Sequence, residues 1–378
     1  MKKKVWGILF LLAAALNVLA WKSSSFCNFY VAKIFPVLGS SFSRVTSVFP
    51  FSMGEWMIVA GVVFVIAFLA VIILRIVLRK QWTVRLFRGF GCTFCWAGLA
   101  LFWVLTCNCF IQYHASEFEE KYMEQVRQGG YSKEELAVLR DFVVVNLNEL
   151  AEQMERDENG YLIYEGDMHQ TAITAMQCMG EEYDQLKGFY PEPKEIHFSN
   201  FLSQTYMMGY YFPFSMEANY NKTMYIVNKP STICHELAHL KGFIQEDEAS
   251  LIGYLACIDS GDDFFRYSGF MGVLSYVEKE FQTSINKNAK EYRKHPAISE
   301  LVYRDSVFLT QEAWQVVEEK AVVSTATAKK VSRAATTASL KLNGVEEGMK
   351  AYDGVVKLLL DYYDGVLYGD MLMTVDTD

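Results

Sequence analysis

The sequence predicts an α+β, mainly α protein in which N-terminal transmembrane helices precede an exported domain with a small β-sheet. Three observations predict this. Three long apolar segments carry no charged residue, charge separates sharply along the chain, and apolar residues recur at helical spacing through most of the remainder.

The apolar segments cover about 5–21, 56–74 and 89–113, each close to the roughly 20 residues that cross a bilayer. Lys2, Lys3 and Lys4 precede the first, while Arg75, Arg79, Lys80, Arg85 and Arg88 crowd the link between the second and third. Basic residues collect on the cytoplasmic side. The N-terminus and that link are therefore predicted in the cytoplasm of a bacterial cell. Residues 22–55 and everything after Tyr113 are predicted outside, with 22–55 lying along the membrane surface because Phe, Val and Ile mix there with Ser and Gly. Val18-Leu19-Ala20 faintly resembles a signal-peptidase site, and cleavage there would not alter the rest of the topology. A membrane region, 1–113, and an extracytoplasmic domain, 114–378, result.

Residues 1–112 hold eleven Lys or Arg against the single acid Glu55, or +10; the remaining 24 bases and 43 acids leave −19 for 113–378. Such a domain repels phosphate backbones, and it lacks a basic stripe with interleaved aromatics, which excludes nucleic acid. The expected partners are the lipid bilayer and a peptide or protein substrate; oligomeric state is not legible. The eight cysteines form no disulfide framework, since Cys92, Cys95, Cys107 and Cys109 lie in apolar runs. Cys92 and Cys95 make a CxxC without a second pair, which points away from a redox or metal role.

In the exported part, helical spacing marks 117–128 and 133–156, the latter opened by Ser132 and Glu135 at capping-box distance. Residues 196–201 and 223–228, rich in β-branched and aromatic side chains, read as strands. Pro230 and Ser231 open a helix over about 231–241, which Gly242 closes. A second helix covers about 245–259. Further helices are expected over 264–286, 288–295, 299–321 and 344–363 in a helical C-terminal part, 264–378, with 322–343 a polar helix or linker and Asp370–Asp378 an acidic end.

The first of these helices carries His235-Glu236-Leu237-Ala238-His239. Residues four apart share a helical face, so the two imidazoles can converge on one ion with Glu236 beside them. Zinc at such a site takes three protein ligands and keeps a position open for water, and Glu236 is placed as general base. The bare pattern arises by chance in roughly one such chain in a hundred or more, and its context strengthens it: a cap before, a glycine stop after, and acids following.

The third ligand is expected from the next helix, where Glu246, Asp247 and Glu248 are candidates. Residues two apart on a helix point in nearly opposite directions, so Glu246 and Glu248 cannot both face the metal. Glu248 is favoured because Leu251, Ile252, Leu255 and Ala256 suggest that its side packs inward. Glu246, the alternative, is also explained as an acid at a helix start.

The run from His235 to Ala249, with Phe-Pro-Phe-Ser at 49–52, Tyr211–Asn219 and Gly348–Tyr352, resembles the bacterial membrane family called domain of unknown function 3810. The resemblance implies a zincin-like domain anchored by helices. Its logic is nearest the glutamate-ligand zincins, in which a helix after HExxH supplies a Glu and often an Asp four residues later supports a ligand histidine. Here that later position is Ile252 for Glu248 or Ser250 for Glu246, while the histidine-ligand branch would need a histidine at Gln245.

Other residues weigh less. Glu217, in the aromatic loop from Tyr211 to Tyr220, is a candidate substrate contact at a cleft rim; the alternative is a turn packing Phe212 and Phe214 into the core. Tyr220 or Tyr352 could serve as an oxyanion-stabilising phenol. His114, His169, His197 and His295 lack partners at ligand spacing and read as structural, and Cys234 as a buried thiol. The function expected is a zinc-dependent hydrolase, a metallopeptidase, with Glu236 as base and His235, His239 and Glu248 as Zn2+ ligands. The competing expectation is a non-catalytic zinc-binding membrane sensor or cell-envelope assembly protein.

Overall fold

A computed structural model describes residues 2–123, 130–342 and 354–367. Tyr352, the 348–352 stretch and the acidic end at 370–378 lie outside them. The chain divides into two compact units, Met1–Ala115 with Phe212–Glu217, and Ser116–Tyr211 with Ala218–Asp378.

The first unit opens with α1 (Lys2–Lys22), α2 (Ser24–Phe29) and, after a π-helical turn, α3 (Phe35–Thr46); α4 (Met53–Leu78) and α5 (Gln81–Leu105) follow. A second π turn carries α5 into α6 (Ile111–Tyr113). Among the described residues three helices, Lys3–Lys22, Met53–Leu78 and Gln81–Tyr113, are long and apolar enough to cross a membrane, which is compatible with a membrane protein. All three exceed the predicted segments, the second and third because Arg75 and Arg85 are taken into the helices without breaking them. Two polar contacts join the first and third apolar helices: Asn17 donates to Thr106 Oγ1 at 2.7 Å and the Trp103 indole to the Leu9 carbonyl at 3.1 Å. Phe64 stacks on Phe90 at 5.6 Å between α4 and α5.

The second unit is mainly helical: α7 (Phe118–Tyr122), α8 (Lys133–Gln153), α9 (Met168–Glu182), α10 (Ser199–Gln204), α11 (Lys229–His239), α12 (Glu246–Ile258) and α13 (Asp263–Ser284), with shorter helices beyond. The capping box at Ser132 and Glu135 is formed in both directions. The core is built where α13 packs on α8 and α12, and α12 on α11. Leu139, Leu147, Phe265, Val277, Leu251 and Ile252 are fully buried there, each contributing roughly 1.5–3 kcal/mol of transfer free energy.

The sheet has three short strands in the order β1-β3-β2: β1 (Lys194–Glu195), β2 (Gly209–Phe212) and β3 (Glu217–Tyr220), with Lys194 beside Asn219 and Glu195 beside Tyr220 in parallel register. Both predicted strands need correction. Residues 199–204 form α10, where the Ser199 hydroxyl donates to the Ile196 carbonyl and accepts the Lys222 amide. Residues 226–228 form a 3-10 turn leading into α11, and the Tyr225 amide goes to the Phe308 carbonyl, 2.8 Å away, rather than into a ladder. Of the strands that form instead, β2 runs into the aromatic loop and β3 lies within it, while β1 precedes the first predicted strand. All four residues of β3 are buried, so the alternation that betrays a half-exposed strand is absent. The predicted helix 299–321 is interrupted, forming Glu300–Asp305 and Gln311–Glu319, while 325–342 takes the helical option.

Candidate metal centre

Pro230 sits in the first turn of α11, where its missing N–H is no loss. After His239 the chain leaves the helix through Gly242, whose φ of +88° is the left-handed conformation that a helix-ending glycine supplies. The turn to Gln245 then starts α12 back along α11. The two helices touch closely at Gly253, where an added Cβ would stand 3.0 Å from the Ser231 carbonyl oxygen and 3.1 Å from the His235 nitrogen.

Glu246, Ser250 and Gly253 recur at i, i+4 and i+7 and so share one face of α12. That face meets the motif. Glu246 Oε2 lies 3.1 Å from His235 Nε2 and 3.7 Å from His239 Nε2, and the two Nε2 atoms are 3.1 Å apart. Among the described residues this is the one group of three or more His, Cys, Asp or Glu side chains whose ligand atoms converge within 4.8 Å.

The outer nitrogens identify the tautomers. His239 Nδ1 is 2.7 Å from the Phe243 carbonyl, which can only accept, so Nδ1 carries the proton. His235 Nδ1 is 3.3 Å from Ser250 Oγ, whose own proton goes to the Glu246 carbonyl 2.7 Å away, so this Nδ1 is a donor as well. Neutral, both histidines then aim bare Nε2 lone pairs at each other and at a carboxylate. Three acceptors so close require a cation among them.

A zinc ion about 2.0–2.2 Å from tetrahedrally arranged nitrogen and oxygen donors spaces those donors about 3.3–3.6 Å apart. The observed separations of 3.1, 3.1 and 3.7 Å straddle that range. Two imidazoles and one carboxylate are also a donor set that suits zinc. Where a proton is the only cation, the same demand appears in the titration. Burial works against a charged His239, but the Glu246 carboxylate outweighs it and raises the pKa to about 9. Burial lowers His235, and Glu246 only partly opposes this. Burial would also raise Glu246, yet bonds from both imidazoles hold it well below the ordinary carboxylate range.

Glu236 projects beside this cluster and is 4% exposed. The Tyr211 amide of β2 donates to its carboxylate, while Oε2 is buried and among the described residues meets no hydrogen-bond partner. Burial pushes its pKa up to about 8 against the pull of His239. The Tyr211 ring lies with its centroid 6.0 Å from that of His239.

The structure thus brings together His235, Glu236 and His239 with Glu246, the alternative third ligand, and not with Glu248. Glu248 faces α7, where it accepts the Phe118 amide, and burial raises its pKa to about 8. The reason is the phase of α12: Glu248 points away from the face shared by Glu246 and Gly253. Glu217 is likewise not part of that cluster. It is 2% exposed, and its carboxylate accepts the Met53 and Gly54 amides at the start of α4 and the Ser215 hydroxyl. Tyr220 is engaged with His169 at 2.8 Å, and His295 with Asp141 at 2.8 Å. Tyr211 is the site residue that residue types alone did not single out among 22 tyrosines.

A family described as "Protein of unknown function (DUF3810)" matches residues 30–360. No curated protein and no solved structure matches the chain.

Proposed function

We propose that this chain, which belongs to the DUF3810 family of proteins of unknown function, is a membrane-anchored zinc-dependent hydrolase. In this reading it is a zincin-like metallopeptidase acting on peptide or amide bonds outside the cytoplasmic membrane. The observation that carries the reading is a three-donor cluster set beside one bare carboxylate oxygen, Glu236 Oε2. A purely structural metal site has no use for such an acid. The orientation rests on the basic residues that flank the apolar helices.

His235, His239 and Glu246 are the residues that would hold the ion. Zinc in such a position supplies Lewis acidity, polarising a carbonyl and lowering the pKa of water from near 16 to about 7. The Tyr211 amide holds the Glu236 carboxylate, and among the described residues Oε2 is left without a hydrogen-bond partner. That oxygen takes a proton from the attacking water and returns it to the leaving nitrogen, a task for which a carboxyl pKa raised towards neutrality is suited. Burial of Glu236 and His239 limits bulk water there. In this reading the Tyr211 ring beside His239 would supply a phenol donor for charge developing on a carbonyl oxygen.

The purified full chain, incubated with a fluorogenic peptide library, tests the reading. Glu236→Gln should retain zinc by elemental analysis and lose turnover by roughly 10²–10⁴. Undiminished hydrolysis in that variant would sink the mechanism. A metal-loaded crystal structure with four protein ligands would favour the sensor or assembly alternative.

A further inference from the structure

The connection from α1 to α4 contains α3, a 12-residue helix about 18 Å long at 1.5 Å per residue. Viewed down its axis, it and its flanks fall into three sectors. Phe35, Gly39, Ser43 and Thr46 are buried on one, where the Ser43 hydroxyl donates to the Met216 carbonyl at 3.0 Å within the same unit. Ile34, Val37, Leu38, Phe42, Val45 and Val48 form the second, all exposed, from 37% at Ile34 to 78% at Val48. Lys33, Ser40, Arg44 and Ser47 make the third.

An exposed apolar sector this broad is a cost in water. Its one interruption, Ser41, donates its hydroxyl to the Val37 carbonyl at 2.7 Å, so the polar atom is satisfied without solvent. The two bases sit beside the apolar sector rather than in it. Aromatic residues stand at the adjoining helix ends: Trp21 closes α1 against His114 at 4.8 Å, and Phe51 meets Trp56 at 6.5 Å where α4 begins. Such rings gather at membrane–water boundaries.

We propose that α3 is an in-plane membrane anchor, its apolar sector seated in the acyl boundary and Lys33 and Arg44 held against anionic lipid phosphates. The inference rests on the reading of α1, α4 and α5 as membrane spans. It goes beyond that reading by assigning lipid contact to a helix that does not cross. The charge arrangement and the continuity with the spanning helices select lipid over a second protein as the occupant.

The test places a photo-crosslinking benzophenone amino acid in the full chain, reconstituted in vesicles of equal phosphatidylcholine and phosphatidylglycerol. Positions Phe42 and Val45 probe the apolar sector, Ser47 the polar one, and Ile66 the α4 span. Lipid adducts, read by mass spectrometry, are expected at Ile66, Phe42 and Val45, with several-fold fewer at Ser47. Lys33→Glu with Arg44→Glu should lower the Phe42 yield and leave that at Ile66 unchanged. Adducts at Ile66 but none at Phe42 and Val45 would overturn the anchor while leaving the spans intact. Protein–protein adducts at Phe42 would replace lipid by a second copy. Absence of lipid at Ile66 as well would remove the spanning reading and the anchor with it.

Discussion

His235 and His239 point their Nε2 atoms at each other across 3.1 Å, although the outer nitrogen of each is committed as a donor. Such a pair is tolerable only with a cation between its lone pairs, and Glu246 completes the set. The first prediction follows from which acid that is. Glu246→Gln should reduce zinc in the purified protein to background. Glu248→Gln should leave one zinc per chain and cost about 1 kcal/mol of stability or less, since the amide can still accept the Phe118 N–H. Elemental analysis of the two variants decides it, and the reverse pattern would return the third ligand to Glu248.

The four-residue spacing of the histidines is legible because it is a property of one helix. The third ligand is a property of two, set by where α12 begins and how closely it approaches α11 at Gly253. The apolar residues that favoured Glu248 do not indicate a phase, because from Glu248 to Cys257 every residue of α12 except Ser250 is buried. The same limit hides the sheet. Strands β2 and β3 combine Gly, Tyr, Glu and Asn without alternation, and β3 is buried throughout. The apolar helices, the capping box and the Gly242 stop are legible because each depends on local chemistry alone.

Zinc uptake should depend on pH with a definite sign. In the metal-free protein His239 holds a proton up to about pH 9, and zinc needs the lone pair that proton occupies. Below that pH each unit of acidification should weaken binding about tenfold, since one proton is released per ion bound. Between pH 8 and 6 the apparent affinity is expected to fall about a hundredfold, measured by competition with a chromophoric chelator. The same raised pKa stabilises the metal-free fold below the ordinary histidine range, and that contribution is lost as pH rises through about 9. A pH-independent affinity would mean that the site is not protonated as described.

Ser250 occupies the position four residues after Glu246 and accepts from His235 Nδ1 at 3.3 Å. A hydroxyl there orients the ring but adds less basicity than a carboxylate does. Ser250→Ala should therefore weaken zinc binding by about tenfold, at the low end of the 10–100-fold effects seen when a ligand's supporting partner is removed. Ser250→Asp should strengthen it. Isothermal titration with zinc on both variants is the check, and equal affinity in all three proteins would show that Ser250 does not orient His235.

Gly253 is a point of close approach between the two helices that carry the candidate ligands, where an added Cβ would meet the Ser231 carbonyl oxygen at 3.0 Å and the His235 backbone nitrogen at 3.1 Å. Both neighbours are backbone, so neither can swing aside as a side chain would. Gly253→Ala must push α12 away from α11. Overpacking of this kind costs about 1–3 kcal/mol, offset in part by the better helix propensity of alanine, up to about 1 kcal/mol. The displacement also acts on the site, because Glu246 lies two turns away on the same face and its 3.1 Å approach to His235 depends on that contact. Zinc affinity should fall more than stability does. Gly253→Ala and Ser268→Ala, which removes a hydroxyl that accepts the Ser231 amide at 3.1 Å, can be compared by thermal unfolding and zinc titration. If both lose comparable stability but only Gly253→Ala loses zinc, helix spacing sets the geometry of the metal centre. If Gly253→Ala keeps full affinity, the cluster is positioned by the turn between the helices instead.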